Sequence, residues 1–360
     1  MKQLKYLLIS LILIAALLVL TVLGYLTVDE YQPEDEEYAE VEGSSFKIPV
    51  RGTSMRLLSW NIGYGGLGDN ADFFMDGGHM VYTADKERVY ANLDGIISEI
   101  EKIKPSAVML QEVDRNSART YFTDDMEYLT DNSDSEVLHG ESVYSSNYRV
   151  SFVPLPVPPI GRVEAGIATF CEFDIDKAER ISLPCSFSWP YRTINLKRCI
   201  QISRTSVADS DKELVLINLH LEAYDEGEGK IAQTKILKDI IQKEVDKGNY
   251  VIAGGDFNQC FSGTDTSAFP ALDVPWQAGR IDESEFGPDV TFYADESTAS
   301  CRSLDRPLDT APDKSPNGFQ YYIIDGFIVS SNIEVMGMYT DDLGFVSADH
   351  NPVILDFTLK

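Results

Sequence analysis

The chain is poor in basic side chains and in the residues that hold zinc. It has four histidines and five cysteines in 360 residues, and the cysteines show neither a Cys-x-x-Cys pair nor zinc-ligand spacing. A structural zinc site of the usual kind is therefore excluded. Lys and Arg number 30 against 58 Asp and Glu, and the formal net charge is −28. Because nucleic-acid affinity normally depends on basic side chains that neutralise phosphates, this composition disfavours sequence-independent DNA binding, although an acidic surface can also serve solubility alone.

The positions of the cysteines do not decide between disulfides and free thiols. None lies near the N-terminal apolar segment, which excludes a lipoprotein anchor. Their number is odd, and in an outward-facing protein one or two disulfides could form, with Cys185 and Cys199 as the nearest pair. Buried free thiols are the equal alternative.

The N-terminal residues 6–28 contain no charged side chain. At about 1.5 Å per residue, this segment is long enough to cross a bilayer core of about 30 Å as a helix. Lys2 and Lys5 precede it and acidic residues follow it, so the positive-inside rule predicts a cytoplasmic N-terminus. We therefore predict an uncleaved single-pass anchor. A cleaved signal peptide is the alternative, but the apolar run is longer than usual and no small-x-small site follows it cleanly.

Residues 29–45 carry eight acidic side chains and no basic one. Such a segment cannot build a core, and we predict an extended, self-repelling tether. The apolar content of a globular domain begins at about residue 46. The predicted organisation is a cytoplasmic N-terminus (1–5), a transmembrane helix (6–28), an acidic linker (29–45) and one extracytoplasmic catalytic domain (46–360).

A strand-helix-strand pattern occurs twice in the domain. Apolar residues at helical spacing lie between two apolar strands in each case, and Pro105 ends the first helix. The predicted strands, helices and strands are residues 55–61, 84–104 and 107–110, and then residues 213–219, 230–245 and 250–253. Two similar halves, each with a helix outside a sheet, indicate an α/β sandwich.

Five short motifs combine an apolar run with a carboxylate, carboxamide or imidazole. This pattern is typical of a buried strand that ends in polar side chains at one edge of a sheet. Five such strand ends in one chain predict a metal-assisted active site. The motifs are Ser59-Trp60-Asn61-Ile62, Leu110-Gln111-Glu112-Val113, Asn218-Leu219-His220-Leu221, Gly254-Gly255-Asp256-Phe257-Asn258 and Ser347-Ala348-Asp349-His350-Asn351-Pro352-Val353.

In this order and spacing, the motifs resemble the endonuclease/exonuclease/phosphatase superfamily, which includes deoxyribonucleases, bacterial sphingomyelinases and inositol polyphosphate phosphatases. The resemblance covers residues 54–360, and residues 61–66 and 72–78 also resemble a membrane-anchored bacterial branch. It implies a four-layer α/β sandwich of two packed mixed β-sheets flanked by helices, placed here after an N-terminal transmembrane helix. It also implies a metal-dependent hydrolase of phosphoester bonds.

Glu112 follows a buried apolar strand, where a carboxylate suits a hard divalent cation. The alternative is an N-cap or surface carboxylate. The resemblance implies that Glu112 is the principal metal ligand, that Asn61 assists it and that Asp349 completes the site from the opposite side. We expect Mg²⁺, with Mn²⁺ or Ca²⁺ as alternatives, and the number of ions stays open.

Asp256 and Asn258 are two residues apart on extended chain, and therefore lie on one face. The resemblance implies that both face the scissile phosphate, whereas the alternative is an Asx-turn at the strand end. His220 lies between two leucines, which is typical of a core histidine. The resemblance implies instead that it acts as an acid or a phosphate ligand.

Asp325 and His350 form the candidate catalytic pair. A carboxylate that accepts from one imidazole nitrogen raises the basicity of the other, which can then take a proton from water. Asp256 is the alternative base, and the sequence does not decide between them. His79 and His139 lie in polar loops outside any motif, and we expect neither to act in catalysis.

The chain departs from the family after residues 164–169. A Ser-Arg pair is common there, but this chain has Phe170 and Cys171. Arg192 and Arg198 are candidate replacements for the missing phosphate contact, with surface or sheet-edge arginines as the alternative.

The sequence therefore predicts a monomeric, membrane-anchored, outward-facing phosphoesterase that acts on a lipid phosphate or small phosphoester. Water attacks phosphorus in line with the leaving group. An extracellular metal-dependent endonuclease or exonuclease is the first alternative. An inactive membrane-tethered binding domain is the second, and it is disfavoured because burying so many carboxylates without a metal would be costly.

Overall fold

The computed structural model describes residues 2–225 and 227–360. Within them the chain forms four α-helices: α1 (Lys2–Asp29), α2 (Lys86–Ile103), α3 (Asp125–Asp131) and α4 (Glu228–Asp246). The strands are β1 (Glu36–Ala39), β2 (Val41–Glu42), β3 (Met55–Asn61), β4 (Ala107–Asp114), β5 (Glu141–Val153), β6 (Gly161–Cys171), β7 (Lys177–Ser182), β8 (Cys199–Ser206), β9 (Glu213–His220), β10 (Tyr250–Asp256), β11 (Gln259–Phe261), β12 (Gly279–Ile281), β13 (Val290–Tyr293), β14 (Cys301–Arg302), β15 (Tyr321–Tyr322), β16 (Asp325–Ser330), β17 (Ile333–Thr340) and β18 (Val353–Leu359).

Two seven-stranded sheets form the centre of the domain. The first has the order β17-β18-β3-β4-β6-β5-β2, and the second has the order β1-β7-β8-β9-β10-β16-β13. The pairs β3–β4 and β9–β10 are parallel, and the other pairs in these sheets are antiparallel. Both sheets are mixed, and the predicted fold class is confirmed.

Each parallel pair is joined by a helix that packs on the outer face of its sheet. Leu93 and Ile96 of α2 pack with Leu58 and Trp60 of β3. On the other side, α4 packs through Leu237 and Ile241 on the second sheet. A third apolar cluster fills the space between the two sheets. The layers are therefore helix, sheet, sheet and helix, as both strand-helix-strand patterns predicted.

The acidic segment is not the free tether that its composition predicted. β1 pairs antiparallel with β7 at the edge of the second sheet, and β2 pairs with β5 at the edge of the first sheet. Lys177 of β7 lies 5.1 Å from the ring centre of Tyr38, and Arg180 lies 3.8 Å from the carboxylate of Glu37. Basic side chains on β7 thus offset the acidic repulsion. The prediction of a self-repelling tether is wrong for residues 36–42.

α1 is long and apolar enough to cross a membrane by its length and composition, a property that a signal sequence near the N-terminus shares. It extends a few residues beyond the predicted segment at its N-terminal end.

All five cysteines are free thiols, so Cys185 and Cys199 do not form a disulfide. Burial raises the pKa of the Cys171 thiol well above its usual value and raises the pKa of Cys199 to about 11. A thiol with a raised pKa carries little reactive thiolate, so these two cysteines pack as apolar residues.

Candidate active site

The chain topology brings the polar motifs to one rim of the sandwich. Because β3 and β4 are parallel, Asn61 and the Glu112 region lie at the same edge of the first sheet. Asn61 contacts Asp256 at the end of β10, so the corresponding edge of the second sheet lies beside it. In the second sheet, Asp256 lies directly beside His220 of β9 and opposite Asp325 of β16. The structure thus brings the predicted residues together around one cleft, which is lined by Glu112, His220, Asp256, Asn258, Asp349 and His350.

A bulge in β4 turns Glu112 into this cleft. The register of β4 against β6 shifts between Leu110 and Val113, and Glu112 has a positive φ of 53°. A bulge of this kind changes the direction of a side chain, and it is common beside active sites. Gln111 points between the sheets instead, where its amide donates to Asn218 over 2.8 Å. The bulge therefore directs the Glu112 carboxylate into the cleft instead of the space between the sheets.

Asn61 connects the carboxylates of the two sheets. Its Nδ2 donates to Glu112 Oε1 over 3.1 Å and to Asp256 Oδ2 over 3.0 Å. Its Oδ1 accepts from the backbone N–H of Gly63 over 3.0 Å, which fixes the orientation of the amide. One buried carboxamide therefore holds two acidic side chains, one from each sheet, close to each other and to the His220 ring.

Asp325 and His350 form the predicted pair, since Asp325 Oδ2 lies 2.8 Å from His350 Nδ1. Burial opposes the charged imidazole, but Asp325 and other nearby acids outweigh it and raise the pKa of His350 well above its usual value. His350 Nε2 lies 3.7 Å from Asp256 Oδ2. Burial raises the pKa of Asp256 to about 7, against the lowering effect of His350. Because Asp256 and His350 lie this close, the protonation of one affects the protonation of the other.

Asp349 presents a free oxygen on the other side of the cleft. Among the described residues its buried Oδ1 has no hydrogen-bond partner. Burial raises the pKa of Asp349 to about 7, with Glu112 raising it further while His350 lowers it. A buried carboxylate oxygen without a donor is costly unless a cation or water binds it.

A divalent cation fits the carboxylate oxygens of Glu112 and Asp349, while Asn61 donates its amide N–H to Glu112 and holds that carboxylate in place. These are oxygen ligands, and Mg²⁺ needs only one or two carboxylates because it keeps several waters. The tightest groups of potential ligands in the described residues contain His350, with Asp256 and Asp325 or with Cys301 and Asp349, rather than Glu112. We favour the Glu112 side because Asp325 already occupies Nδ1 of His350.

Asp256, Asn258 and His220 form the opposite wall. The Asx-turn alternative is realised, since the N–H of Asn258 donates to Asp256 Oδ1 over 2.8 Å, yet both residues line the cleft. His220 Nε2 lies 3.4 Å from Asp256 Oδ2. Burial, reinforced by the charge of Arg198, lowers the pKa of His220 well below its usual value. The neutral His220 imidazole can therefore accept or donate a hydrogen bond without carrying charge.

Of the two candidate arginines, only Arg198 lines the cleft. Its side chain is 4% exposed, and its Nε lies 3.7 Å from Glu222, too far for a hydrogen bond. Arg192 contacts Glu30 over 3.4 Å and lies away from the cleft. His79 and His139 do not line the cleft either, and the His139 ring contacts the carbonyl of Ser133.

Several residues of the cleft could not be predicted from the sequence, because they lie in segments without a periodic spacing of apolar residues. Arg119 stacks 3.6 Å from the ring centre of Tyr64 and pairs with Asp114. Tyr224 donates to Asp76 over 3.0 Å across the cleft, and burial raises the pKa of Asp76 to about 6. Only Tyr64 and Asp76 lie in stretches that carried a signal, namely residues 61–66 and 72–78.

Arg302 is a further residue without a sequence signal. It is 1% exposed, and its guanidinium donates to the carbonyls of Gly68 and Ala71 over 2.7 and 3.1 Å. A charged, planar donor group thus fixes the glycine-rich loop that follows Asn61. Its role is to position that loop, since its donors are directed at backbone.

Comparisons with known proteins show the family and the fold of the chain. A model of the endonuclease/exonuclease/phosphatase family matches residues 58–321. No curated protein matches the chain in sequence. Among solved structures, the chain is similar to an endonuclease/exonuclease/phosphatase from Beutenbergia cavernae DSM 12333, with a TM-score of 0.54 and 17% identity over 85% of this chain and 72% of that chain.

Two further structures share the fold. D. rerio TDP2 complexed with single strand DNA product has a TM-score of 0.52 and 13% identity, over 85% of this chain and 99% of that chain. The human Nocturnin catalytic domain with bound sulfate anion has a TM-score of 0.50 and 15% identity, over 89% of this chain and 97% of that chain. The matched family model covers most of the catalytic domain, and the chain therefore belongs to the endonuclease/exonuclease/phosphatase family of metal-dependent phosphoesterases.

Proposed function

We propose that the protein is a membrane-anchored, outward-facing, Mg²⁺-dependent phosphoesterase that hydrolyses a lipid phosphate or a small phosphoester with an apolar group. The observation that carries the proposal is the combination of acidic and apolar walls in one cleft. Beside the carboxylates, the cleft is lined by Phe73, Phe74, Phe187, Leu196, Val274 and Trp276. Such walls suit an apolar group next to the phosphate better than a polyanionic chain.

The roles of the residues follow from their positions. Glu112 and Asp349 would hold the ion, with Asn61 positioning Glu112, and the ion would neutralise charge that develops on the phosphoryl oxygens. His350, oriented by Asp325, holds or receives the proton of the attacking water, and Asp256 shares that proton. Asn258 and His220 orient the phosphoryl group by hydrogen bonds. Arg198 adds a positive charge at the same wall.

An extracellular nuclease is the second candidate, because three cationic side chains, Arg119, Arg198 and Arg302, line the cleft. Salt dependence separates the two candidates. With Mg²⁺ and the full chain in detergent, kcat/KM for a short-chain phospholipid should stay level or rise between low and physiological salt, since screening relieves repulsion from the acidic surface. DNA cleavage through basic contacts should instead fall steeply. If kcat/KM for DNA is high and falls steeply as salt rises, and phospholipids and small phosphoesters are not turned over, the protein is a nuclease and our proposal is wrong.

The proposed topology has its own test. The charges around α1 support an orientation with Lys2 in the cytoplasm and Lys360 outside. On intact cells, antibody should reach a tag after Lys360, and should reach an N-terminal tag only after permeabilisation. Labelling of the N-terminal tag on intact cells would reverse the orientation. Loss of that tag from the mature protein would show a cleaved signal peptide.

A further inference from the structure

The C-terminal end of α1 is fastened to the catalytic domain. Ser151 donates to the carboxylate of Asp29 from its N–H and its hydroxyl, over 2.9 and 2.7 Å. The indole N–H of Trp189 donates to Thr27 Oγ1 over 3.0 Å. Lys197 forms an ion pair of 2.9 Å with Glu30, whose side chain is only 3% exposed. Contacts on both sides of the helix end restrict how the domain can rotate about it.

Two segments that contact α1 carry exposed apolar side chains. One is the end of β5 with the loop that joins β5 to β6, and the other is the loop that joins β7 to β8. We define the apolar rim as the exposed residues Phe152, Leu155, Val157, Trp189 and Tyr191, of which Val157 is 89% exposed. Single apolar residues are common on surfaces, but a group that surrounds one helix end marks an interaction surface.

The position of the rim along α1 corresponds to the end of the apolar span. Thr27 lies in the last turn of the helix, one residue before the final apolar position of residues 6–28. Because Trp189 contacts Thr27, its indole lies at the same height. Trp and Tyr are enriched at this height, where their rings meet the boundary between headgroups and acyl chains.

The same two loops also line the active-site cleft. Ile160 belongs to the β5–β6 loop, and Phe187, Asn195 and Leu196 belong to the β7–β8 loop. The rim and one part of the cleft lining therefore belong to the same two loops. A bilayer in contact with the rim would contact loops that also line the cleft.

We propose that the apolar rim docks on the headgroup region of the bilayer that holds α1, so that a lipid phosphate enters the cleft without leaving the membrane. The inference rests on the membrane anchoring given under the proposed function. The bilayer is favoured as occupant because Trp189 of the rim contacts Thr27 at the end of the membrane segment, and Ser151, next to Phe152 of the rim, contacts Asp29. A second copy or another protein would lie at the membrane only by coincidence.

Trp189 fluorescence tests the docking without any substrate. The full chain is reconstituted in phosphatidylcholine/phosphatidylglycerol vesicles, with and without lipids brominated near the headgroup. We expect at least about half of the Trp189 signal to be quenched, because its indole lies at headgroup depth. Trp60 and Trp276 provide the background, which the Trp189→Phe variant measures. Quenching that is equal in wild type and Trp189→Phe, or cross-linked dimers that shield Trp189, would overturn the inference.

Turnover in the same vesicles provides the second readout. Leu155→Ser with Val157→Ser should lower hydrolysis of a vesicle lipid phosphate at least about tenfold, since docking orients the anchored domain so that its cleft reaches the lipid phosphate. Hydrolysis of a water-soluble short-chain phosphoester should not change. The matched control is Ile231→Ser with Met336→Ser, which removes exposed apolar groups from α4 and β17 and should change neither rate.

The outcomes separate the two proposals. Equal losses on lipid and soluble substrates, or no loss on lipid, would overturn the docking inference and leave the phosphoesterase in place. Trp189 quenching without turnover of any phosphoester would overturn the proposed function and leave the docking in place.

Discussion

Replacement of Glu112 by Gln is expected to abolish Mg²⁺ binding and nearly all turnover while leaving the fold intact. The amide is nearly the same size as the carboxylate but lacks the charge that binds the ion. Loss of the ion should lower kcat by about 10³-fold or more, the scale of several kcal/mol of transition-state stabilisation. Asn61 can still donate to the Gln carbonyl, so the bulge in β4 should persist.

Calorimetric Mg²⁺ titration, kcat and thermal unfolding measure this prediction together. Glu334→Gln, at an exposed position of β17, is the matched control and should change none of the three. Chelation should abolish wild-type activity, and Mg²⁺ should restore it. Because burial raises the pKa of Asp349 to about 7, a proton competes with the ion, and Mg²⁺ affinity should fall as pH drops below 7. Unchanged Mg²⁺ affinity and turnover in Glu112→Gln would contradict the metal assignment.

The variants Asp325→Asn and His350→Ala should lose similar amounts of kcat, about 10²- to 10⁴-fold, and the double variant should lose little more than either. The reason is that the carboxylate and the imidazole act as one unit across 2.8 Å. Multiplicative losses in the double variant would refute the pair. Asp342→Asn, at an exposed position of the same C-terminal region, is the control and should retain full activity.

The pH profile distinguishes this role from a structural one. Asp325 is the largest influence that raises the pKa of His350, against burial, which lowers it. Removing the charge of Asp325 should therefore lower the pKa of His350, and the limb of the profile that reports on His350 should move to lower pH. A profile with unchanged limbs and a uniformly lower rate would indicate that Asp325 only supports the fold.

The sequence predicts what depends on local periodicity. The helical spacing of apolar residues before Pro105 predicted α2. The apolar strands before Asn61 and Asp256 predicted the sheets and the edge of the sandwich at which the site lies. These signals are local because side-chain spacing follows helix and strand geometry. The resemblance then supplied the expected roles, and the structure brings the same residues together.

Features that depend on distant partners could not be predicted. The bulge that turns Glu112 into the cleft arises from the way the backbone of β4 pairs with β6. Arg302 fixes a loop more than two hundred residues earlier in the chain. The sequence predicted a tether for the acidic segment because its charge is a local property. The strand β7 that pairs with it and carries basic side chains lies far along the chain.

That pairing has a consequence for any shortened form of the protein. β1 and β2 cover the outer edges of β7 and β5, one edge on each sheet. A chain that began at residue 46 would leave both edges with unpaired N–H and C=O groups, which act as templates for pairing with other chains. Such a fragment would be prone to aggregate through two edges at once, even with its core and cleft intact. A soluble form should therefore begin before Glu36, since this acidic stretch serves as a cap against self-association.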